Sequence, residues 1–159
     1  MIIACTGVPT TGKTFVAKAI AKKIKADYLD VNTFIAKNKL IEGYDKTLNT
    51  SLVDIKKLTK KILPILKQYK KEKKSLVIDS HLSHYLPARY VDLCIVITCN
   101  LKTLKKRLQR RKYSKKKIQE NMNAQIFDVC LLEALVSKHR VKVIDTSQRL
   151  KIKELMNLL

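Results

Sequence analysis

The sequence predicts an α/β fold in which a five-stranded parallel sheet lies between two layers of helices. Five short apolar runs of strand length alternate along the chain with segments whose apolar residues recur at helical spacing. The first run is followed by a glycine-containing loop, residues 7–14, that leads directly into a helical pattern. Strand, glycine loop and helix in this order are typical of a three-layer P-loop domain. At 159 residues the chain has the length of one domain, so we expect a single unit over 1–159.

The loop Gly7-Val8-Pro9-Thr10-Thr11-Gly12-Lys13-Thr14 follows a first strand predicted over 2–6. Gly7 and Gly12 allow backbone conformations that a Cβ disfavours, so successive N–H groups can converge on phosphate oxygens at the start of the next helix. Lys13 would add a mobile cation, and the Thr14 hydroxyl would bind Mg²⁺. An accidental glycine turn is the alternative, but two of the three glycines in the chain occupy the required positions.

The elements after the loop are predicted in order as a helix over 13–25, a strand over 27–31, a helix over 32–39 and a turn over 41–45. Together the first strand, helix and second strand form one right-handed βαβ unit. A long helix is then predicted from about Ser51, which could cap it. Pro64 lies inside this helix and is expected to kink it or break it in two, because proline lacks an N–H and clashes with the preceding turn.

The third predicted strand, 75–79, ends in Asp79, and His81 follows two residues later. Ligands bind open α/β sheets at the carboxyl ends of their strands, and a P-loop protein uses an Asp there to hold or orient Mg²⁺. An ordinary Asp at the start of a loop is the alternative for Asp79. For His81 the alternative is a structural histidine with a satisfied hydrogen bond.

The remaining elements are predicted as a strand over 92–98, a helix over 101–111, a second long helix capped by Ser114 and running to about Lys138, a strand over 141–145 and a closing helix over 152–158. A basic cluster ends the first of these helices: Arg107, Arg110, Arg111 and Lys112. Its position before a helix break predicts a small lid, whose guanidinium groups would stabilise a transferring phosphoryl group and exclude water. A solvated helix face or an RNA contact would explain the same cluster.

The charge of the chain is strongly unbalanced, with 34 basic residues against 13 acidic ones and a net charge of +21. A lysine-rich proteome is one explanation for this excess. Because the acidic residues are too few to neutralise it, the surface is also expected to attract polyanions such as nucleotides and RNA.

No apolar run has the length needed to cross a bilayer, so no membrane association is predicted. The P-loop begins at residue 7, which leaves no room for a leader peptide before it, and the protein is expected to be cytoplasmic. The cysteines show no C-x-x-C spacing and lie mostly in apolar runs, so reduced, buried thiols are predicted rather than a zinc site.

Several of these segments resemble the small nuclear-type adenylate kinase family, whose archaeal and eukaryotic members double as ATPases of small-ribosomal-subunit assembly. The resemblance is carried by the P-loop, by Glu42-Gly43-Tyr44-Asp45, by Asp79-Ser80-His81 with the later Pro87, and by Arg111-Lys112-Tyr113-Ser114 with Lys117-Ile118 and Glu120-Asn121. The family usually has Gly where Lys112 stands and Glu where Gln125 stands.

This resemblance implies a nucleoside-monophosphate-kinase fold with a monophosphate-binding region at about 30–53 and a short lid at about 110–120. It implies that ATP contacts the following residues: Gly7, Thr10, Gly12, Lys13, Thr14, Phe15 and Arg111. Thr14 and Asp79 would organise Mg²⁺, Lys13 and Arg111 would act on the transferring group, and His81 would orient water or the acceptor.

Three functional hypotheses follow from the sequence. The leading one is a monomeric adenylate kinase that catalyses ATP + AMP ⇌ 2 ADP with Mg²⁺, hydrolyses ATP slowly and binds a small-subunit ribosomal protein and pre-ribosomal RNA. The second is an RNA–protein assembly ATPase in which the nucleotide is mainly a switch. The third is a kinase for another small acceptor, because the fold alone does not fix the substrate.

Overall fold

The computed structural model of the protein describes residues 1–148 and confirms the predicted α/β class with a five-stranded parallel sheet. The strands of the sheet are β1 (Ile2–Thr6), β2 (Asp27–Asp30), β5 (Leu76–Asp79), β6 (Leu93–Thr98) and β7 (Val141–Asp145). They lie in the order β2-β5-β1-β6-β7. The central strand, β1, is buried along its whole length, which explains its continuous apolar sequence.

Helices cover both faces of this sheet. The α-helices of the described chain are α1 (Lys13–Lys23), α2 (Val31–Lys37), α3 (Ile55–Lys71), α4 (Leu101–Arg110), α5 (Lys115–Ile126) and α6 (Val129–Val136), and two short 3-10 helices span Ser83–Tyr85 and Ala88–Tyr90. On one face α1 packs against alternate residues of the strands, and on the other face α2, α3 and α6 do so. Helices α4 and α5 form a smaller apolar cluster with Val8 of the P-loop, so the core directly supports the loop.

Residues 41–45 form a strand, so the predicted turn is wrong. They constitute β3 (Ile41–Asp45), which pairs antiparallel with β4 (Thr50–Val53) in a separate hairpin. The connection is held by Asp45, whose Oδ1 accepts hydrogen bonds from the N–H groups of Thr47 and Leu48 at 2.8 and 3.0 Å. An Asp that bonds its own downstream backbone in this way is typical of a tight turn. The turn therefore lies after β3 and not within it.

The long helix α3 differs from the prediction at two points. It begins at Ile55 and not near Ser51, because Asp54 is the residue that caps it, accepting from the N–H groups of Lys56 and Lys57. It also runs without a break through Pro64. Pro64 is on the exposed side of the helix, where the backbone carbonyl that loses its partner can bind water instead.

The single helix predicted from Ser114 to about Lys138 is two helices, α5 and α6. Ser114 caps α5 as predicted, accepting from the Lys117 N–H at 3.2 Å. The chain then turns at Asp128, which has the left-handed φ of 47°. The closing helix predicted over 152–158 lies outside the described residues. No helix within residues 1–148 combines the length and the apolar content needed to cross a bilayer.

Candidate functional site

The P-loop crosses the carboxyl edge of the sheet between β1 and α1, and both glycines are needed for its path. Gly7 has φ 138°, and a Cβ at this position would lie 2.2 Å from the carbonyl oxygen of Ile97 in β6. Gly12 has φ 97° and is the N-cap of α1. Thr11 closes the loop by donating its hydroxyl to the Val8 carbonyl at 2.8 Å. The backbone N–H groups at the start of α1 are thus presented to the cleft as an anion-binding site requires.

Lys13 lies at the start of α1 with its ammonium group folded back over the loop. The Nζ donates to the Val8 carbonyl at 3.2 Å. Burial lowers the pKa of Lys13, and the nearby Asp79 carboxylate opposes that shift. A carbonyl oxygen is a weaker partner for an ammonium group than a phosphate oxygen, so this contact can be exchanged when a polyphosphate binds.

Thr10 is the one residue of the loop other than glycine that has a positive φ. Its φ of 68° lies in the left-handed region, which is disfavoured for a β-branched side chain. Its hydroxyl oxygen is buried and has no hydrogen-bond partner within the described chain. Strain of this kind persists only where the surrounding structure enforces it, and it clusters at ligand-binding sites.

Asp79, at the end of β5, meets two hydroxyl groups. The Thr14 hydroxyl donates to its Oδ2 at 2.6 Å, and the Tyr28 hydroxyl donates to the same oxygen at 2.8 Å. Burial and the bond to Asp79 raise the pKa of Tyr28, so its phenol keeps the proton that it donates. Hydroxyl and carboxylate oxygens are the ligands that Mg²⁺ prefers, so Thr14 and Asp79 together fit a magnesium site.

One cavity of about 420 Å³ lies on the α4 side of the loop. It is lined by Thr10, Gly12, Lys13, Thr14, Phe15, Arg107, Arg110 and Arg111. No acidic side chain contributes to this wall, so the cavity suits an anion. Phe15 is 59% exposed and offers an aromatic surface beside the phosphate loop.

Arg107 binds the P-loop through hydrogen bonds, so its guanidinium group is not available as a cation of the predicted lid. Its guanidinium group donates to the Thr11 carbonyl at 3.3 Å. It also donates to the side-chain and backbone oxygens of Thr146 at 3.1 and 2.9 Å, and Thr146 follows β7 directly. These bonds tie the P-loop to the last strand of the sheet. Arg107 therefore positions the loop, and Arg110 and Arg111 are the arginines with exposed side chains at the first cavity. Of these two, Arg111 also lines the second cavity described next.

A second cavity, of about 270 Å³, adjoins the first and shares Lys13 with it. Its wall combines the P-loop with Asp79, His81, Arg111, Tyr113 and Lys117. A third cavity, of about 410 Å³, continues from it between His81 and the β3–β4 hairpin and is lined largely by apolar residues. Because His81 contributes to both walls, it stands where the two cavities meet. Desolvation, with the positive charge of Lys13, lowers the pKa of His81 to about 4, so its ring is neutral at physiological pH.

The predicted lid contacts the hairpin across the cleft. Lys117, in the first turn of α5, donates its ammonium group to the Asn49 carbonyl at 2.8 Å and lies 4.5 Å from the centre of the Tyr113 ring. Asn49 is at the tip of the hairpin, so this bond joins two segments that are far apart in the sequence. Lys112, at the helix break of the lid, has φ 54°, a conformation that favours glycine.

The residues that sequence analysis singled out thus lie around one cleft. Thr10, Lys13, Thr14 and Arg111 line both the first and the second cavity, and Asp79 and His81 line the second. Gly7 lies at the rear of the loop, against β6. Tyr28 was not predicted from the sequence, because its role depends on the order of the strands. Lys117 was predicted only as part of the likeness to the lid, because its contact depends on the position of the hairpin. Arg107 was predicted to belong to the lid, a solvated helix face or an RNA contact, and its bonds to the P-loop were not expected.

The chain matches a family profile described as "AAA domain" over residues 3–128. It is also similar to archaeal proteins named "Putative adenylate kinase". The protein from Methanocaldococcus jannaschii is 36% identical over 94% of this chain and 78% of its own length. The protein from Pyrococcus furiosus is 36% identical over 100% of this chain and 84% of its own length.

Solved structures share the fold at lower identity. A sugar kinase from Janibacter superposes with a TM-score of 0.63 at 16% identity, covering 98% of this chain and 90% of that protein. A deoxyadenosine kinase from M. mycoides with bound dATP superposes with a TM-score of 0.58 at 17% identity, covering 99% of this chain and 97% of that protein. At these identities the likeness concerns the fold alone.

Proposed function

The chain belongs to the archaeal family that carries the adenylate kinase name, and we propose that it is a Mg²⁺-dependent nucleoside monophosphate kinase. The reaction is ATP + AMP ⇌ 2 ADP. One observation carries the proposal: two cavities adjoin, and they share Thr10, Lys13, Thr14 and Arg111. A donor in one cavity and an acceptor in the other would meet at these shared groups, which is the arrangement that direct phosphoryl transfer needs.

The donor ATP binds on the α4 side, with its phosphates on the loop amides and its nucleoside part toward Phe15. Lys13 exchanges its contact with the Val8 carbonyl for the phosphate oxygens. The Thr10 hydroxyl, which has no partner in the described chain, becomes a donor to the same phosphates. Arg107 keeps the loop in place from Thr11, so the amides are organised before the nucleotide arrives.

Magnesium bound to the nucleotide neutralises charge on the transferring phosphoryl group. Thr14 and Asp79 are the residues that would hold it, because their oxygens already lie 2.6 Å apart at the carboxyl edge of the sheet. A threonine hydroxyl can give its lone pair to a cation while it still donates its proton to the carboxylate. The hydrogen bond between them is therefore compatible with a bound metal.

The acceptor monophosphate binds on the other side, in the segment 30–53 that contains α2 and the hairpin. The apolar wall of the cavity there suits a nucleobase, and His81 stands between that wall and the phosphate loop. The neutral His81 ring orients the acceptor, and in the absence of an acceptor it orients water, which gives slow ATP hydrolysis. Residues 110–120 act as the lid, with Arg111 and Lys117 as the cations that cover the transferring group.

A panel of nucleoside monophosphates tests the proposal. The protein is incubated with ATP, Mg²⁺ and each monophosphate in turn, and the products are separated by chromatography. We expect AMP to give two equivalents of ADP for each ATP consumed, and omission of Mg²⁺ to abolish the reaction. Release of inorganic phosphate alone, at a rate independent of every monophosphate, would exclude a kinase and leave an ATPase.

Charge on the outer surface favours a second candidate function, in small-ribosomal-subunit assembly. The exposed face of α3 carries Lys56, Lys57, Lys60, Lys61 and Lys67, and that of α4 carries Lys102, Lys105, Lys106 and Arg110. Such faces would bind pre-ribosomal RNA or a ribosomal protein in addition to the kinase reaction. The test is titration with small-subunit RNA at several salt concentrations, with and without ATP. Binding that ATP does not alter, with a steep salt slope, indicates nonspecific attraction only.

A further inference from the structure

The Asp79 carboxylate is restrained from two directions, and one of the two restraints lies outside the P-loop. Both donors, the Thr14 hydroxyl and the Tyr28 hydroxyl, are bound to Oδ2. Within residues 1–148 no hydrogen bond reaches Oδ1. Asp79 is only 5% exposed, so its side chain has little freedom except rotation of the carboxylate about its last bond. The two donors set that rotation.

Tyr28 reaches Asp79 because of the strand order. In the parallel ladder between β2 and β5, Tyr28 is opposite Val77, and Asp79 is two residues further along the same face. The ring of Tyr28 packs against the apolar cluster between the sheet and α1, and the Lys18 ammonium group lies 5.5 Å from its centre. The hydroxyl is therefore held by the sheet, and its position does not depend on the loop.

We propose that Tyr28 is a positioning residue that orients the Asp79 carboxylate so that Oδ1 faces the divalent cation of the bound nucleotide. The inference rests on the proposed magnesium-nucleotide site. The Thr14 hydroxyl shares in this orientation, but it belongs to the loop that the phosphates contact, whereas the Tyr28 hydroxyl is held by the sheet. Tyr28 orients the carboxylate before the nucleotide binds, so little order has to be gained on binding.

The expected effect is on metal affinity more than on nucleotide affinity. Groups that orient a metal ligand by hydrogen bonding typically change metal affinity by about 10- to 100-fold when they are removed. Tyr28→Phe removes the hydroxyl and keeps the ring, so the packing against α1 and the contact with Lys18 remain. We expect Mg²⁺ to increase the affinity for ADP. In Tyr28→Phe, the Mg²⁺ concentration at which half of this increase is reached (the Mg²⁺ midpoint) should be about 10-fold higher than in wild type.

Tyr69→Phe is the matched control. The Tyr69 hydroxyl donates to Asp27 Oδ2 at 2.7 Å, which is the same kind of tyrosine–carboxylate bond but at the other end of β2. The full chain of wild type and of each variant is titrated with ADP by calorimetry, first in EDTA and then at increasing Mg²⁺. Binding of Mn²⁺ in the presence of ADP, followed by electron paramagnetic resonance, gives the metal affinity directly.

For Tyr28→Phe we expect an unchanged ADP affinity in EDTA, a raised Mg²⁺ midpoint and weaker Mn²⁺ binding. For Tyr69→Phe we expect all three quantities to equal those of wild type. If Tyr28 has only a structural role, Tyr28→Phe should lower the ADP affinity equally in EDTA and in Mg²⁺. That result would overturn the inference, and so would an unchanged Mg²⁺ midpoint. Should Tyr28→Phe be unfolded by circular dichroism, a structural role is indicated and the inference is overturned.

These binding measurements need neither an acceptor nor turnover, so they separate the inference from the proposed function. If wild type phosphorylates AMP but Tyr28→Phe keeps the wild-type Mg²⁺ midpoint, only the role of Tyr28 is wrong. If wild type phosphorylates no monophosphate but Tyr28→Phe shifts the midpoint, the reaction is wrong and the role of Tyr28 stands.

Discussion

Replacement of Thr10 by glycine should make the protein more stable and bind nucleotide less well. The left-handed conformation costs an L-residue about 1–2 kcal/mol, which glycine does not incur. Removal of the buried hydroxyl without a partner adds a gain of about 1 kcal/mol. Glycine has greater backbone freedom in the unfolded chain, which lowers the unfolding free energy by about 1 kcal/mol. The net gain in unfolding free energy should be about 1–2 kcal/mol, which corresponds to a rise of roughly 2–8 °C in Tm for a domain of this size.

The assay is urea unfolding followed by circular dichroism, with Lys73→Gly as the control. Lys73 has φ 54° between α3 and β5 and is exposed, so its replacement relieves the same backbone conformation without a buried hydroxyl and away from the cleft. Thr10→Gly should stabilise the protein by about 1 kcal/mol more than Lys73→Gly. The affinity for ADP, measured by calorimetry, should fall about 10-fold for Thr10→Gly, because one hydrogen bond to a charged phosphate is lost, and not for Lys73→Gly.

A Thr10→Gly variant that is less stable than wild type would mean that the threonine is not strained or that its hydroxyl is satisfied in solution. A more stable variant with unchanged ADP affinity would support strain at Thr10 in the wild type. It would also mean that the Thr10 hydroxyl does not contact the nucleotide.

Three further changes have expected outcomes. Lys13→Ala should lower kcat/KM by about 100-fold or more, because a cation at the transferring group is removed. Lys22→Ala, an exposed lysine of the same helix, should retain wild-type activity in the same coupled assay. Lys112→Gly should raise the unfolding free energy by up to about 1 kcal/mol in urea titrations, since φ 54° suits glycine; a loss would contradict this. Burial lowers the pKa of His84 below its usual 6.5. As the pH drops from 7 to 5, the unfolded chain therefore binds a proton at His84 before the folded chain does, and the unfolding free energy should fall. His84→Gln should make that fall less steep, and an unchanged slope would assign it to other groups.

The centre of the fold could be predicted from the sequence because its elements are specified locally. The apolar strand β1, the two glycines and the periodic helix α1 lie within the first 23 residues, and each confirms the others. The same holds for Asp79 at the end of β5, since the carboxyl edge of a parallel sheet is where ligands bind.

The hairpin and the helix boundaries were harder to predict because each is fixed by a polar side chain whose partner is the backbone. Gly43 and Asp45 suggested a turn, but Asp45 instead closes the connection that follows β3. Ser51 and Asp54 are both suitable caps, and only the structure distinguishes them. The break between α5 and α6 contains no glycine or proline that would have predicted it. The chain turns there because Asp128 itself adopts the left-handed conformation.

The parts of the site that escaped prediction depend on contacts between distant segments. Tyr28 meets Asp79 only because β2 lies beside β5. Lys117 meets Asn49 only because the hairpin folds over the cleft toward α5. Arg107 belongs to the basic stretch of α4 by sequence, yet its guanidinium group binds the P-loop and Thr146. Spacing along the chain carries none of this information.

The proposed reaction requires that one cleft hold a donor and an acceptor in two cavities that share Lys13. A crystal structure with Mg²⁺ and a bisubstrate analogue, in which two adenosines are joined by five phosphates, would show whether it does. We expect the phosphate chain to run from the amides of residues 7–14 past Arg111, with the metal beside Thr14 and Asp79 and the second adenosine against the β3–β4 hairpin. Phosphates bound elsewhere, or a second adenosine left in solvent while the first is bound, would exclude a shared cleft for donor and acceptor.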